Sequence, residues 1–262
     1  WSPTWQPVRR PLQEYTCRHG MGYTKIESLQ DGIQSSLRYF VPLGQNLEIW
    51  QVTISNQRDQ TAHLSMFSLV EFCLWDAWED ATNFQRNLST GEVELDGSVI
   101  YHKTEYRERR NHVAYFACSR PLAGFDTQRE SFLGPYRGWD TPQVVESGKS
   151  NDTIAHGWAP IGSHHIQLEL KPGESATTIY LLGYHENPTD QKFDPPDSQV
   201  VNKTFVNPVI NRFLKVEEVE RAYQDLSNHW LGLLGRQQVE TPDVHTNRMV
   251  NIWNAYQTMI TF

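Results

Sequence analysis

The chain has 262 residues, 38% of them hydrophobic, which is enough for a real core and excludes disorder along the whole length. Its formal net charge of -8 leaves no basic excess to neutralise phosphates, so a nucleic-acid backbone is excluded as partner. No apolar run reaches membrane-spanning length and Trp1 does not open a signal peptide, so no membrane partner is expected; the cysteines, read as reduced thiols, point to a cytoplasmic protein.

Three widely spaced cysteines, Cys17, Cys73 and Cys118, read as reduced thiols, with one disulfide plus a free thiol as the alternative. The chain starts on Trp1-Ser-Pro-Thr-Trp5 without an initiator Met and stops at Phe262 inside an uninterrupted helical pattern. The expectation is a piece of a longer polypeptide, or one chain of a nicked one.

From Tyr15 to Leu122 the hydrophobic period is mostly two. Ile33, Ser35, Leu37, Tyr39 and Val41 alternate with polar neighbours, and Trp50, Val52 and Ile54 do so after a Gly44-Gln45-Asn46 turn, which predicts a long hairpin. Ala62 to Phe72 is the next strand, with Leu64, Met66, Val70 and Phe72 on one face. Asp96-Gly97 lies between Glu92–Leu95 and Val99–His102 and predicts a tight hairpin turn, because both residues tolerate positive φ. His112 to Cys118 makes one more strand, and the whole pattern predicts an antiparallel sandwich.

Gly124 to His165 is rich in Gly, Pro and aromatics and reads as a long loop with a task or a neighbour to pack on. Strands return at Ile166–Leu170 and Thr177–Gly183, joined by Lys171-Pro-Gly-Glu174, with Pro and Gly in the central turn positions. Asn187 to Asn207 is a Pro- and Asp-rich connector and a candidate boundary. Beyond it Val216, Val219, Tyr223, Leu226, Trp230 and Leu233 share one helical face, with Gly235 as C-cap. Thr241-Pro242 supplies an N-cap and a first-turn proline, and Met249, Ile252, Trp253, Tyr256 and Ile260 form the next apolar stripe. The predicted fold class is therefore mostly β with C-terminal helices.

The unusual chemistry sits between Glu71 and Glu94. Trp75, Asp76, Trp78, Glu79 and Asp80 are followed by Asn83, Gln85, Arg86 and Asn87 before a Ser89-Thr90-Gly91 turn. Amides and a guanidinium bond hydroxyls in two directions, and aromatic faces cover the C–H faces of a pyranose, so this is a candidate sugar-contacting surface. Gln85 and Arg86 are the leading candidates. The competing reading has Arg86 pairing with Asp80 or Glu79 and the tryptophans in the core. Asp76 and Asp80 share a face at helical spacing, but like charges there raise each other's pKa or sit apart in water, so a solvated or structural role competes with an acid pair.

His156, His164, His165 and His185 lack the paired spacing of metal ligands, and adjacent His164 and His165 in a strand would point to opposite faces, so no metal is expected. Glu105-Tyr-Arg-Glu-Arg-Arg110 reads as a solvated edge strand with internal ion pairs, or as an anion site. No phosphate-cradling Gly-rich loop and no Gly-x-Ser-x-Gly elbow is present.

Seven long strings carry a family likeness: Arg18–Ser28, Val70–Trp75, Asp80–Gly91, Tyr101–Asn111, Phe132–Asp140, Ala155–His165 and Glu240–Tyr256. Together they run nearly end to end and resemble cellobiose phosphorylase of glycoside hydrolase family 94, its N-terminal part only. The resemblance implies phosphorolysis of a β-1,4-linked glucose disaccharide, with inversion, to α-glucose 1-phosphate and glucose. Phosphorylases for cellodextrin, chitobiose or cellobionic acid are alternatives, as is a free-standing carbohydrate-binding sandwich without catalysis.

It further implies a β-sandwich over residues 1–207 with its opening strands before Trp1, a helical linker over 208–240, and the start of an (α/α)6 barrel over 241–262. The general acid and the phosphate-binding residues are expected beyond Phe262, so this chain alone would be inactive. No cofactor is implied, since inorganic phosphate is a substrate alongside cellobiose and glucose. Family members are homodimers whose sandwich reaches toward the partner's active site, which places Gln85 and Arg86 at the acceptor sugar.

Overall fold

The computed structural model describes residues 1–72, 91–104, 111–157 and 160–261. Strands β1 (Glu14–Gly20), β2 (Tyr23–Gln30), β3 (Ile33–Phe40) and β4 (Leu47–Asn56) are followed by β5 (Ala62–Phe67), β6 (Val70–Glu71), β7 (Gly91–Asp96), β8 (Val99–Thr104) and β9 (His112–Cys118). Strands β10 (Gly124–Gln128), β11 (His156–Gly157), β12 (Pro160–Leu170) and β13 (Ser175–Glu186) complete two antiparallel sheets. The larger runs β1-β2-β3-β4-β13-β9-β8-β7-β11, and the smaller runs β10-β12-β5 with β6 also on β12.

Alternation along the strands builds two cores. Ile33 and Leu37 of β3, Val52 and Ile54 of β4, and Phe116 and Cys118 of β9 face the smaller sheet, where Val70, Phe72, Ile166, Leu168 and Leu170 meet them. The opposite face of the large sheet presents Ile49, Val113, Tyr115, Ile179 and Leu181 to helices α3 (Asn207–Phe213) and α4 (Val216–Leu234), through Ile210, Phe213, Val219, Ala222 and Leu226. The large sheet is thus the middle of three layers, and β9 and the centre of β13 are buried on both faces. Each such aliphatic or aromatic side chain contributes about 1.5–3 kcal/mol on burial, so these two strands form the energetic centre of the fold.

Polar residues of the same strands position the helical layer. Gln51 and Arg38 lie on the helix-facing side, and both hydrogen-bond Glu220 of α4, at 2.7 and 2.6 Å. The Arg38 guanidinium also lies 3.9 Å above the Tyr223 ring.

The smaller sheet has its own outer cover, helices α1 (Arg129–Leu133) and α2 (Gln143–Ser147), whose Phe132 and Val144 pack on Ile161. Residues 160–166 are consequently buried on both faces, while Gln167 and Glu169 emerge where the cover ends. This corrects two expectations. The stretch from Gly124 to His165 contains β10, β11, two short helices and the start of β12, which begins at Pro160 instead of Ile166.

Other expectations hold or shift by a residue or two. The β3–β4 hairpin and the Lys171–Glu174 turn form as predicted, with Gly173 at φ +75° and the Glu174 N–H bonded to Lys171 O at 3.0 Å. In the β7–β8 hairpin Asp96 pairs with Val99, so the turn residues are Gly97-Ser98. Gly97 sits at φ +60° and Ser98 Oγ ties back to Cys118 O, a turn with glycine first. Gly235 ends α4 in a right-handed conformation, its N–H on Leu231 O.

Helix α5 (Val244–Arg248) is capped by Asp243 rather than Thr241, because the carboxylate accepts two N–H groups, of His245 and Thr246, at 3.1 Å each. A π-helical turn (Met249–Trp253) and α6 (Asn254–Thr261) continue it. The expected stripe is present here but uncovered, with Met249 and Trp253 both 50% exposed. No described helix is long and apolar enough to cross a membrane.

Two histidines sit in the sandwich interior. His102 stacks on Phe72 at 5.0 Å, and His164 stacks on Phe116 at 4.7 Å with Ser68 Oγ 3.2 Å from Nδ1. Desolvation by burial holds both imidazoles neutral, pushing each pKa from the ordinary 6.5 down to about 3. Unfolding frees them to bind protons below pH 6.5, so stability is full above that pH and is lost as pH falls toward 3. Between pH 7 and pH 5 each histidine should cost about 2 kcal/mol. Urea unfolding at the two pH values checks this, and His102→Phe should remove about half of the pH-dependent loss.

Candidate functional site

The fold gathers the quoted motifs at one end of the sandwich. Gly91, where β7 begins, pairs with Thr104, where β8 ends, and on its other side with Gly157 of β11. Lys103 pairs with Val113 at the start of β9. In the smaller sheet Glu71 pairs with Ile161, and the Phe72 N–H bonds Pro160 O at 3.3 Å. Segments 73–90, 105–110 and 158–159 therefore all leave and re-enter the described fold at this end. The β3–β4 turn opens at the same end, since Leu47 pairs with Gly183 near the close of β13.

Gln85 and Arg86 lie outside the described residues, as do Trp75, Asp76, Trp78, Glu79, Asp80, Asn83, Asn87, Cys73 and the run Glu105–Arg110. What the structure supplies is the frame that holds the two ends of their segments.

On the exit side Phe72 is buried against His102, and Glu71 lies 3.8 Å from Arg129 of α1. On the return side Lys103, only 3% exposed, bonds Glu92 at 2.8 Å and Gln199 O, with Glu94 at 3.7 Å. Lys203 extends the network to Glu94 and Asp96 at 3.4 Å each and lies 4.8 Å above the Tyr101 ring. Glu94 also accepts the Val201 N–H at 2.9 Å. The connector from Asn187 to Val206 is thus tied down on β7, and β7 is fixed where segment 73–90 enters it. Removing the buried Lys103 amine would take a donor from Glu92 and the Gln199 carbonyl, while Glu94 would keep Lys203.

Between the sheets, at this same end, a cleft of about 490 Å³ is lined by Gln45, Asn46, Glu48, Glu71, Phe72 and Tyr184, with Val41, Leu47, Ala114 and Leu182 at its apolar wall. Sequence reasoning did not single out Gln45, Asn46 or Glu48; the Gly44-Gln45-Asn46 turn was visible, but not its place beside Phe72.

The histidines divide as their spacing predicts. His164 faces the sandwich interior, and His165, 4.2 Å from the Phe67 ring, faces the α1–α2 cover. Among the described residues no group of three or more His, Cys, Asp or Glu side chains could hold a metal ion. Cys118 is buried and its thiol is pushed up to about 11 by desolvation, while Cys17 is exposed; both are free.

Two antiparallel sheets under a helical layer, with connections that converge at one end, define a layered β-sandwich domain. Residues 1–195 match the family described as glycosyl hydrolase 94, supersandwich domain, and the chain belongs to that family. The N,N'-diacetylchitobiose phosphorylase of Vibrio proteolyticus is 31% identical, over 98% of this chain and 30% of that protein. That of Vibrio furnissii is 28% identical over the same shares. The solabiose phosphorylase of Paenibacillus borealis is 26% identical over 99% of this chain and 32% of that protein. The chain spans about a third of the length of these curated relatives and aligns with their N-terminal part.

Lys103→Met should destabilise the chain by about 1–3 kcal/mol, because Glu92 loses its cation and the Gln199 carbonyl its donor, while Glu94 keeps Lys203. Denaturant titration of the variant measures the loss, and Glu94→Gln should lose less, since the amide can still accept from Val201.

Proposed function

We propose that this chain is the N-terminal portion of an inverting phosphorylase that converts cellobiose and phosphate to α-glucose 1-phosphate and glucose. The observation that carries the reading is family membership over residues 1–195, joined to end-to-end alignment with disaccharide phosphorylases. Cellobiose is favoured by the long motif strings quoted above. Chitobiose is the second reading, favoured by the 31% identity to the Vibrio proteolyticus enzyme.

In this reading residues 1–207 form the sandwich, 208–240 the helical linker and 241–262 the opening of the catalytic barrel. The protein works as a cytoplasmic homodimer, needs no cofactor, and takes its general acid from beyond Phe262. Phosphate is already an anionic nucleophile, so the water-activating carboxylate of an inverting hydrolase is unnecessary. Catalysis then rests on positioning the sugar and phosphate and on protonating the leaving oxygen.

Gln85 and Arg86 close the acceptor side of the partner's site. Support comes from their frame, because segment 73–90 is held at both ends by Phe72 on His102 and by the Lys103 network on β7. A loop anchored in this way can reach a second body without losing its register.

The test is glucose 1-phosphate release by the complete enzyme from cellobiose, chitobiose and cellobionic acid, with and without phosphate. Product from cellobiose alone supports the first reading, and product from chitobiose alone replaces it with the second. Sugar release that does not depend on phosphate sinks both. Arg86→Ala should raise the acceptor KM in the synthetic direction by tenfold or more, by loss of a charged hydrogen bond, with an unchanged melting temperature. Unaltered acceptor kinetics in a folded dimer would remove Arg86 from the site.

A further inference from the structure

The segment Phe132–Asp140 joins α1 to α2 and is anchored on both flanks. Phe132 is buried in the cover of the smaller sheet, and Trp139 packs beside it with ring centroids 6.3 Å apart. Gly134, at φ +83°, turns so close to α2 that an added Cβ would stand 2.3 Å from Gln143 Oε1. Arg137 bonds the Thr141 carbonyl at 3.2 Å and the Glu146 carboxylate, and the Thr141 N–H bonds Gly138 O. The loop is therefore built rather than slack.

At its tip stands Tyr136, with φ +59° and a relative exposure of 108%, so the whole side chain projects into solvent. Trp5, Arg9, Asp31 and Asp152 also have positive φ; aspartate tolerates that region, whereas a large side chain such as tyrosine there costs about 1–2 kcal/mol, and of the large residues only Tyr136 sits on a loop fastened to the smaller sheet's cover. Strain of this kind persists where the surroundings impose it, and it clusters where a side chain must be presented to a ligand. A large aromatic ring that contributes nothing to the core, held at a strained position by anchors on both sides, is a presentation device.

The same anchors place the loop at the functional end. Ile161, against which Phe132 packs, pairs with Glu71, and Glu71 lies 3.8 Å from Arg129 of the preceding helix. Arg137 and Asp140 are exposed neighbours of Tyr136 in the chain, and the Arg137 guanidinium is held by Thr141 and Glu146. A free aromatic face matches a pyranose, whose C–H face stacks on it.

We infer that Tyr136 is a sugar-contact residue, a stacking platform for the acceptor hexopyranose. The inference rests on the phosphorylase reading and extends it to a residue outside segment 73–90. It is a binding role, with no part in the bond-making step.

The experiment is steady-state kinetics of the complete enzyme with α-glucose 1-phosphate and glucose, for wild type, Tyr136→Phe, Tyr136→Ala and Tyr136→Gly. Loss of one stacking face should raise the acceptor KM by about threefold to tenfold in the Ala and Gly variants, while Phe stays within twofold of wild type. The melting temperature of the Gly variant should equal or exceed wild type, because glycine relieves the positive φ. An acceptor KM within twofold of wild type in the Ala variant overturns the assignment, as does a fall in melting temperature of several degrees in the Gly variant. An Ala variant with unchanged KM but a dissociated assembly would make the ring a contact between copies, and also overturns it.

If wild type releases no glucose 1-phosphate from any disaccharide, the phosphorylase reading fails by itself. Saturation-transfer NMR with cellobiose then decides the inference: transfer lost in Tyr136→Ala upholds a sugar contact, and no transfer to wild type refutes it.

Discussion

Burial of the large sheet on both faces is the constraint from which the rest of the fold follows. Strands β9 and β13 lie between the small sheet and the helical layer, so neither can alternate apolar with polar. Phe116 and Tyr180 look one way, Tyr115 and Leu181 the other, and all four are buried. Removing a ring such as Phe116 would cost about 3–5 kcal/mol, more than any single surface ion pair in the chain can supply. The same dryness explains the neutral His102 and His164, whose rings serve as flat aromatic filler among Phe72, Phe116 and Tyr180.

The cleft and the crossing between the sheets lie at one end of the sandwich. Among the described residues nine strands face four, and the chain passes from the small sheet to the large one between Phe72 and Gly91. Two different devices fix the crossing. One is a ring stack in the dry interior, and the other is the Lys103 and Lys203 network, which also carries the 187–206 connector. Rigid ends with a long segment between them are what a recognition loop requires.

Legibility in the sequence followed exposure. The strand at Ile33–Phe40 was readable because its polar side stays partly wet, and the whole of α4 because its buried Val219, Ala222 and Leu226 keep helical spacing. Pro160-Ile-Gly-Ser-His-His165 was not readable as strand, since α1 and α2 cover its outer face and no polar alternation survives. The turn at Gly97-Ser98 and the cap at Asp243 each sit within two residues of the expected position, where neighbouring residues could serve equally well by type. Of the candidate site, residue chemistry and family likeness proposed Gln85 and Arg86, which lie outside the described residues. They could not give the convergence of strand ends, because pairings such as Gly91 with Gly157 join residues far apart in the chain. Tyr136 stood within a quoted motif, yet neither its φ nor its exposure has any signal in residue type.

The two helical stretches behave differently, and the contrast bears on the proposed division of the chain. Helix α4 turns Val219, Ala222 and Leu226 onto the large sheet and fastens Glu220 to Arg38 and Gln51. The helices after Asp243 carry an equally apolar stripe, yet Met249, Ile252 and Trp253 lie exposed, and among the described residues Tyr256 makes the one ring contact back to α4, with Trp230 at 6.2 Å. A stripe of this kind lowers its free energy only when covered. The centre of the large sheet offers it no surface, because β9 and the middle of β13 are already covered on both faces. The proposed assignment of residues 241–262 to a separate catalytic body accounts for that exposure with the same hydrophobic argument that places α4 on the sheet.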